Sequence, residues 1–388
     1  MIDHAIKKLI DILGPTEKEI GLHEPHFAGN EWKYVKDCLD SGWVSSVGQY
    51  VTLFEEKLSE ITQIPYAIAV TNGTAALHIA LLLAEVKPND EVLVPSLTFI
   101  ATANAVTYCQ AIPHFIDSSF VNLGIDLDKL AIYLEENCYI KENQCYNKKT
   151  SRRIKAIIPV HIFGHAVDML ALQAICLQYH IEIIEDAAES LGSYCNEKHT
   201  GNFGKIASLS FNGNKITTCG GGGAILTHDP MLAKRAKHLT TTAKRGHRWD
   251  FYHDEIGYNY RLPNINAALG CAQLEKLQFF VEKKRALAKR YIEAFCDFSE
   301  GYILEETSYC KSNYWLNALI LNQPDRNFVE NFIEKAHAYK YGLRGLWTPM
   351  HQLPMYARCP KMNLSNSDRL YSSVIALPSS VCLETIYA

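Results

Sequence analysis

Lys215 lies five residues after Ser210 and just ahead of four consecutive glycines, in SLSFNGNKITTCGGGG (208–223). Three roles are open to a lysine so placed: gripping nucleotide phosphates, forming an imine with a carbonyl cofactor, or sitting on a solvated loop. A phosphate loop of the Walker type needs glycine directly before the lysine and a hydroxyl residue directly after it. Here Asn214 precedes Lys215, Ile216 follows it, and the glycines lie downstream. That reading fails. The glycines run into AILTHD, a strand-like segment, which fits thin backbone passing close to something bulky.

An imine-forming lysine needs companions: a carboxylate for a pyridine nitrogen, a cup for a phosphate and a partner for a flat ring. Asp186 ends the apolar run IEIIED, where a carboxylate can point into a cleft and keep a pyridinium protonated. Alone, an aspartate there reads as a helix cap or turn residue. Gly73 and Thr74, in TNGTAALHIA, open a strong helix. The N–H groups and dipole at such a helix start suit a phosphate dianion, although Thr74 by itself reads as a cap. Ser210 offers a further hydroxyl. Phe99, closing VPSLTF, can stack on a ring or serve as core. Each element is weak alone, and their joint order is what is specific.

These groups require a frame. From about residue 50 the chain alternates helix-like and strand-like stretches, including YAIAV, EVLVP, IPHFI, IKAII and IEIIE. Such alternation predicts an α/β fold with a largely parallel sheet, whose ligands bind at the carboxyl ends of the strands. Residues 138–155, polar and basic, read as a solvated loop leading into a strand. Residues 264–296 carry one long amphipathic pattern, after which aromatic-rich strands begin. The N-terminal MIDHAIKKLIDILG has helical apolar spacing, with charges that break any signal-peptide run. The expected organisation is a helical segment over 1–22, a large domain over 23–265 and a small C-terminal domain over 266–388.

Composition narrows the function. The 388 residues are 48% hydrophobic with a formal net charge of -4, which gives no general attraction to nucleic acid or anionic membrane. Twelve cysteines contain no CxxC pair, so they read as reduced, buried thiols of a cytoplasmic protein. No stretch has the apolar length of a membrane span. No set of His, Cys and carboxylates has metal-ligand spacing, so no metal is expected.

The segments NGTAALHIAL, PSLTFIATANAV, IEDAAESLGS, SFNGNKITTCGGGGAILT and GYNYRLPNINAALG, in this order, closely resemble the DegT/DnrJ/EryC1/StrS sugar aminotransferases. The likeness runs from about residue 22 to residue 380. It implies a fold-type-I pyridoxal-phosphate enzyme. Its large domain would hold a mostly parallel seven-stranded sheet flanked by helices, with a smaller C-terminal α+β domain.

Carried over, the resemblance makes Lys215 the imine-forming lysine and Asp186 the partner of the pyridine nitrogen. Gly73, Thr74 and Ser210 would hold the cofactor phosphate, and Phe99 would stack on the ring. Asn259 would reach the phosphate from a neighbouring subunit, giving a homodimer with shared active sites. Glu189 stands where many members carry Gln near the phenolic oxygen. A carboxylate would be repelled there, so it is either protonated or bonded elsewhere. Trp43, Ser45, Tyr260, Arg261 and His351 match positions around the substrate, with a packed histidine as the competing reading of His351. The lysine is retained where a dehydratase branch has histidine, which argues for transamination.

LHEPHFAGNEWKYVKDCLDSGWVSSVG and SFNGNK look most like the LegC-like branch on the legionaminic-acid route. Its acceptor would be UDP-2-acetamido-2,6-dideoxy-hexos-4-ulose and its donor glutamate. The same chemistry on a GDP- or dTDP-linked 4-keto sugar is the alternative within the enzymes. A catalytically silent binder of cofactor or sugar nucleotide is the alternative outside them.

Overall fold

Short, β-branched runs bounded by turns form the strands of the main sheet. In chain order they are β1 Tyr66–Val70, β2 Glu91–Pro95, β3 Ile112–Ile116, β4 Cys138–Lys141, β5 Gln144–Asn147, β6 Arg153–Ile157, β7 Glu182–Asp186, β10 Ile206–Ser210 and β11 Gly223–Thr227. The short β8 (Tyr194–Cys195) and β9 (Lys198–His199) form a separate small sheet with β13 (Cys310–Lys311). The computed structural model describes residues 2–246 and 249–384.

The main path runs β1-β11-β10-β7-β6-β2-β3. It is parallel from β10 through β7, β6 and β2 to β3, and antiparallel where β11 meets β10 and β1. All five residues of β2 and of β11 are buried, as expected of strands covered by helices on both faces. The largely parallel α/β sheet read from the sequence is therefore present.

The polar stretch at 138–155 departs from its expected loop. It forms the β4–β5 hairpin, which adds two strands beside β6 and brings the sheet to nine. Glu142 and Asn143, at φ 51° and 57°, make the tight two-residue turn that suits strand twist. Alternate residues Cys145 and Asn147 are buried, and the Asn147 amide donates to the buried Glu91 carboxylate at 2.9 Å. Charge count concealed a period-2 pattern.

The 264–296 pattern divides into helices Asn264–Leu274 and Leu277–Phe295. Asn264 ties the first to the loop ahead of helix Gln49–Thr62. Its amide donates to the Trp43 carbonyl at 2.6 Å and accepts from the Tyr50 N–H at 3.0 Å. Beyond lie β12 (Gly301–Ile303), β14 (Asn317–Leu321), β15 (Arg344–Gly345) and β16 (Val374–Leu377), an antiparallel sheet in the order β12-β14-β16-β15. Helix Ile2–Leu13 lays its apolar stripe, Ala5, Ile6, Leu9 and Ile12, against Tyr291, Phe295, Phe328 and Phe332. The N-terminal helix thus packs with the C-terminal layer. Among the described residues, no helix is long and apolar enough to cross a membrane.

Candidate active site

The carboxyl ends of β7 and β10 and the turn after β1 converge on one cleft of about 400 Å³. Gly73, Thr74, Phe99, Asp186, Glu189, Ser210 and Lys215 all line it. Parallel strands deliver their C-terminal residues to the same edge, which is how segments far apart in sequence meet here.

Asp186, the last residue of β7, is buried at the floor. Its Oδ2 accepts from the Thr102 hydroxyl at 2.8 Å, and its Oδ1 accepts from the Ala188 N–H at 3.2 Å. Burial pushes its pKa up, and neither these donors nor the Lys215 charge fully offsets that. Lys215 extends across the cleft. Its Nζ lies 3.3 Å from Glu189 Oε1 and 4.0 Å from the centre of the Trp315 ring, a cation–π contact. The Trp315 indole N–H donates to the Asn214 carbonyl at 2.8 Å, which fixes the backbone beside the lysine. Glu189 Oε2 accepts from the Phe163 N–H at 2.9 Å. The contacts of Glu189 are thus with Lys215 and the Phe163 backbone, while burial raises its pKa against both.

Helix Gly73–Leu83 starts beside Ser210. A Cβ on Gly73 would fall 3.0 Å from the Ser210 Cβ, so glycine leaves a cradle between helix start and strand end. The cap of this helix is Asn72, whose Oδ1 accepts from the Ala75 N–H at 2.8 Å. Capping is therefore not the work of Thr74. The bulk that the downstream glycines pass is the chain's own turn: a Cβ on Gly223 would lie 2.4 Å from the Asn72 carbonyl carbon. An N-terminal helix turn with two hydroxyls suits a phosphate, a buried carboxylate suits a pyridinium, and a lysine amine suits an aldehyde. The donor set fits pyridoxal phosphate.

Five further candidates and Asn259 lie outside this cleft. Asn259 is exposed and its backbone bridges to Thr241. The Tyr260 carbonyl accepts from the Thr71 N–H at 2.9 Å, its hydroxyl meets His78 Nδ1 at 3.3 Å, and its ring stacks on Tyr258. Those contacts turn it into the protein body. Trp43 and Arg261 line a separate hollow of about 710 Å³ with Asp37, Lys237 and Asn264, and the adjoining Ser45 carbonyl accepts from the Asn264 N–H at 2.6 Å. His351 is held by the Ser96 hydroxyl at 2.7 Å and by Asp368 at 3.3 Å, and it does not line the cleft.

Other lining residues escaped sequence reading. Thr102 comes from the helix after Phe99, Arg344 from β15, and Trp315 and Trp347 from the segments just before β14 and just after β15. Only the alternation in LRGLW hints at side chains emerging from a strand. A depression of about 700 Å³ near Arg153, Lys155 and Lys205 lies at the amino ends of β6 and β7. Its cations are paired with Asp90 or Glu182. His238, Asp254 and Glu255 come within metal-binding distance of one another, but Arg245 and Arg235 already pair with the two acids.

A parallel-sheet cleft that joins a lysine, a buried strand-end aspartate and a helix N-terminus defines the fold-type-I pyridoxal-phosphate transferases. Within that class the chain belongs to the DegT/DnrJ/EryC1/StrS aminotransferase family, whose model matches residues 25–386. It is 36% identical over 368 residues to the putative pyridoxal phosphate-dependent aminotransferase EpsN of Bacillus subtilis (strain 168), covering 93% of this chain and 91% of that one. It is 35% identical to the GDP-perosamine synthase of Escherichia coli O157:H7, with 88% of each chain covered. Its fold matches Helicobacter pylori PseC, an aminotransferase involved in the biosynthesis of pseudoaminic acid, with a TM-score of 0.83, 26% identity and 93% of each chain covered. The protein is accordingly a pyridoxal-phosphate-dependent sugar aminotransferase.

Proposed function

We propose that this enzyme moves an amino group from glutamate to carbon 4 of UDP-2-acetamido-2,6-dideoxy-hexos-4-ulose, in a cytoplasmic route to nonulosonic acids or other surface glycans. The observation that carries the chemistry is the single cleft joining the Lys215 amine, the Asp186 carboxylate and the Gly73–Thr74 helix start. Pyridoxal phosphate bound there supplies an aldehyde to carry the amino group and a ring to take up electrons.

In this reading Asp186 would keep the ring nitrogen protonated, Gly73, Thr74 and Ser210 would hold the phosphate, and Phe99 would serve as the aromatic partner of the ring. Lys215 Nζ would take the proton from the donor's α-carbon and return it to the cofactor's aldehyde-derived carbon. With the sugar bound it would take a proton from that carbon and deliver it to carbon 4. The side chains of Lys215 and Glu189 are 13% and 5% exposed, which keeps that exchange away from bulk water. Asn259, exposed and outside its own chain's cleft, supports a homodimer in which it faces the partner's site. Exposed Trp43 and Ile256 give that assembly apolar surface to cover.

The choice of sugar rests on the LHEPHFAGNEWKYVKDCLDSGWVSSVG stretch, and the PseC neighbour is in keeping with it. The GDP-perosamine synthase relative favours a second reading, the same chemistry on a GDP-linked 4-keto sugar. Mass spectrometry of products from UDP- and GDP-linked 4-keto sugars, each with glutamate, separates the two. Lys215→Ala is expected to abolish both the visible absorbance of the bound cofactor and turnover. A wild-type protein that stays colourless with pyridoxal phosphate would instead favour the catalytically silent reading.

A further inference from the structure

Four charged side chains line the cleft: Asp186, Glu189, Lys215 and Arg344. Three already have partners. Asp186 is held by Thr102 and Ala188, and Glu189 and Lys215 pair with each other. Arg344 differs. Among the described residues, no hydrogen bond or ion pair engages its guanidinium, and it is exposed at the cleft's edge.

Its position is nevertheless fixed. Arg344 sits on β15, in register with Ala376 of β16. Leu343 and Leu346 on either side are buried in the core, and Trp347 joins the cleft lining. Pairing with β16 and the buried leucines at 343 and 346 anchor the backbone here, while the arginine side chain is exposed and lines the cleft. The result is a preplaced, unpaired cation in the same cleft as the Lys215 amine.

We propose that Arg344 grips the α-carboxylate of the amino donor, an inference that rests on the aminotransferase reading above. A guanidinium presents a planar pair of N–H donors matched to a carboxylate. In an amino acid the α-carboxylate hangs on the very carbon whose proton Lys215 must reach. In a sugar nucleotide the diphosphate is separated from carbon 4 by the sugar ring. An anion site sharing one small cleft with Lys215 suits the shorter separation. Charge balance points the same way: Asp186 and Glu189 would repel an incoming amino acid carboxylate, and Arg344 opposes them.

The test uses the holoenzyme, wild type against Arg344→Gln and Arg344→Lys, with thermal midpoint and visible absorbance confirming that each variant folds and binds cofactor. Binding of glutarate, which has the carboxylates without the amine, is followed by tryptophan fluorescence, since Trp315 and Trp347 line the cleft. UDP and GDP are titrated in the same way. The glutamate dependence of the visible-band change reports the donor half-reaction alone. Arg344→Gln is expected to weaken both glutarate binding and the glutamate response by roughly 10-fold or more, the loss of one charged hydrogen-bond pair. UDP and GDP binding should be unchanged, and Arg344→Lys should recover part of the loss. Unchanged glutarate and glutamate responses in Arg344→Gln would overturn the proposal, as would a loss confined to UDP or GDP. A wild-type holoenzyme whose band responds to no amino acid would instead overturn the aminotransferase reading, and this inference with it.

Discussion

Glu185 and Asp186 are neighbours on β7, both buried, and they meet opposite fates on the two sides of the sheet. Glu185 is saturated. It accepts from His161 Nε2 at 3.1 Å and from the N–H groups of Gly201, Phe203 and Gly204 at 2.7, 2.7 and 2.6 Å. Burial alone would raise its pKa, but these donors outweigh burial and leave it lowered. Among the described residues the Asp186 carboxylate accepts only from Thr102 and Ala188, and burial leaves its pKa raised. A carboxylate offers about four lone-pair sites, so Asp186 retains capacity on the side facing the cleft. The saturated acid organises a loop. The undersupplied one is available to a ligand.

The comparison breaks most visibly at Glu185. Glu185→Ala would leave His161 and three backbone N–H groups without their acceptor, a loss of about 3–5 kcal/mol by analogy with a broken buried pair. Urea denaturation of the cofactor-free protein measures it. Asp186→Asn should do the reverse. It keeps an acceptor for Thr102, so stability should stay within about 1 kcal/mol of wild type. Turnover, by contrast, should fall about 100-fold or more through loss of electrostatic support at the reacting ring. A stable Glu185→Ala together with an unfolded Asp186→Asn would invert the division of labour.

The two acids also differ in how far the sequence disclosed them. Asp186 was legible because an apolar run ending in an acid identifies a strand end, and strand ends in parallel sheets point at ligands. Lys215 was legible by exclusion, since its glycines stand on the wrong side for a phosphate loop. Glu185 gave no such signal, because its donors come from a loop fifteen or more residues on, and only folding brings 201–204 around it. The same limit hid Trp315, just ahead of β14, and Arg344 on β15. The β4–β5 hairpin was missed for a different reason: its lysines and asparagines describe one face, and the buried Cys145 and Asn147 describe the other. Trp43, Arg261 and Asn259 were found as motif positions, yet within one chain they line or border surfaces away from Lys215. Motif order marks which residues recur together along the chain, not which of them meet within one fold.

The finest test of the comparison is the sign of pH dependence. For Glu185 the folded pKa lies below its ordinary value of 4.5. Above that value the unfolded chain has no proton advantage, and the stabilisation is fully present. As pH falls from about 4.5 through the folded pKa, the unfolded state takes up the proton first and the stabilisation is lost. Asp186 has the opposite shift, above its ordinary 3.8. Its contribution is favourable below that value and is lost as pH rises from about 3.8 through the raised folded pKa, because ionisation is easier in the unfolded chain. Denaturation midpoints of cofactor-free wild type, Glu185→Gln and Asp186→Asn between about pH 3 and 7 read both terms. Glu185→Gln should flatten the fall in stability on the acid side. Asp186→Asn should gain on wild type as pH rises from about 4. Parallel profiles for the two variants would mean that the neighbours share one environment, and that donor number does not separate the structural acid from the available one.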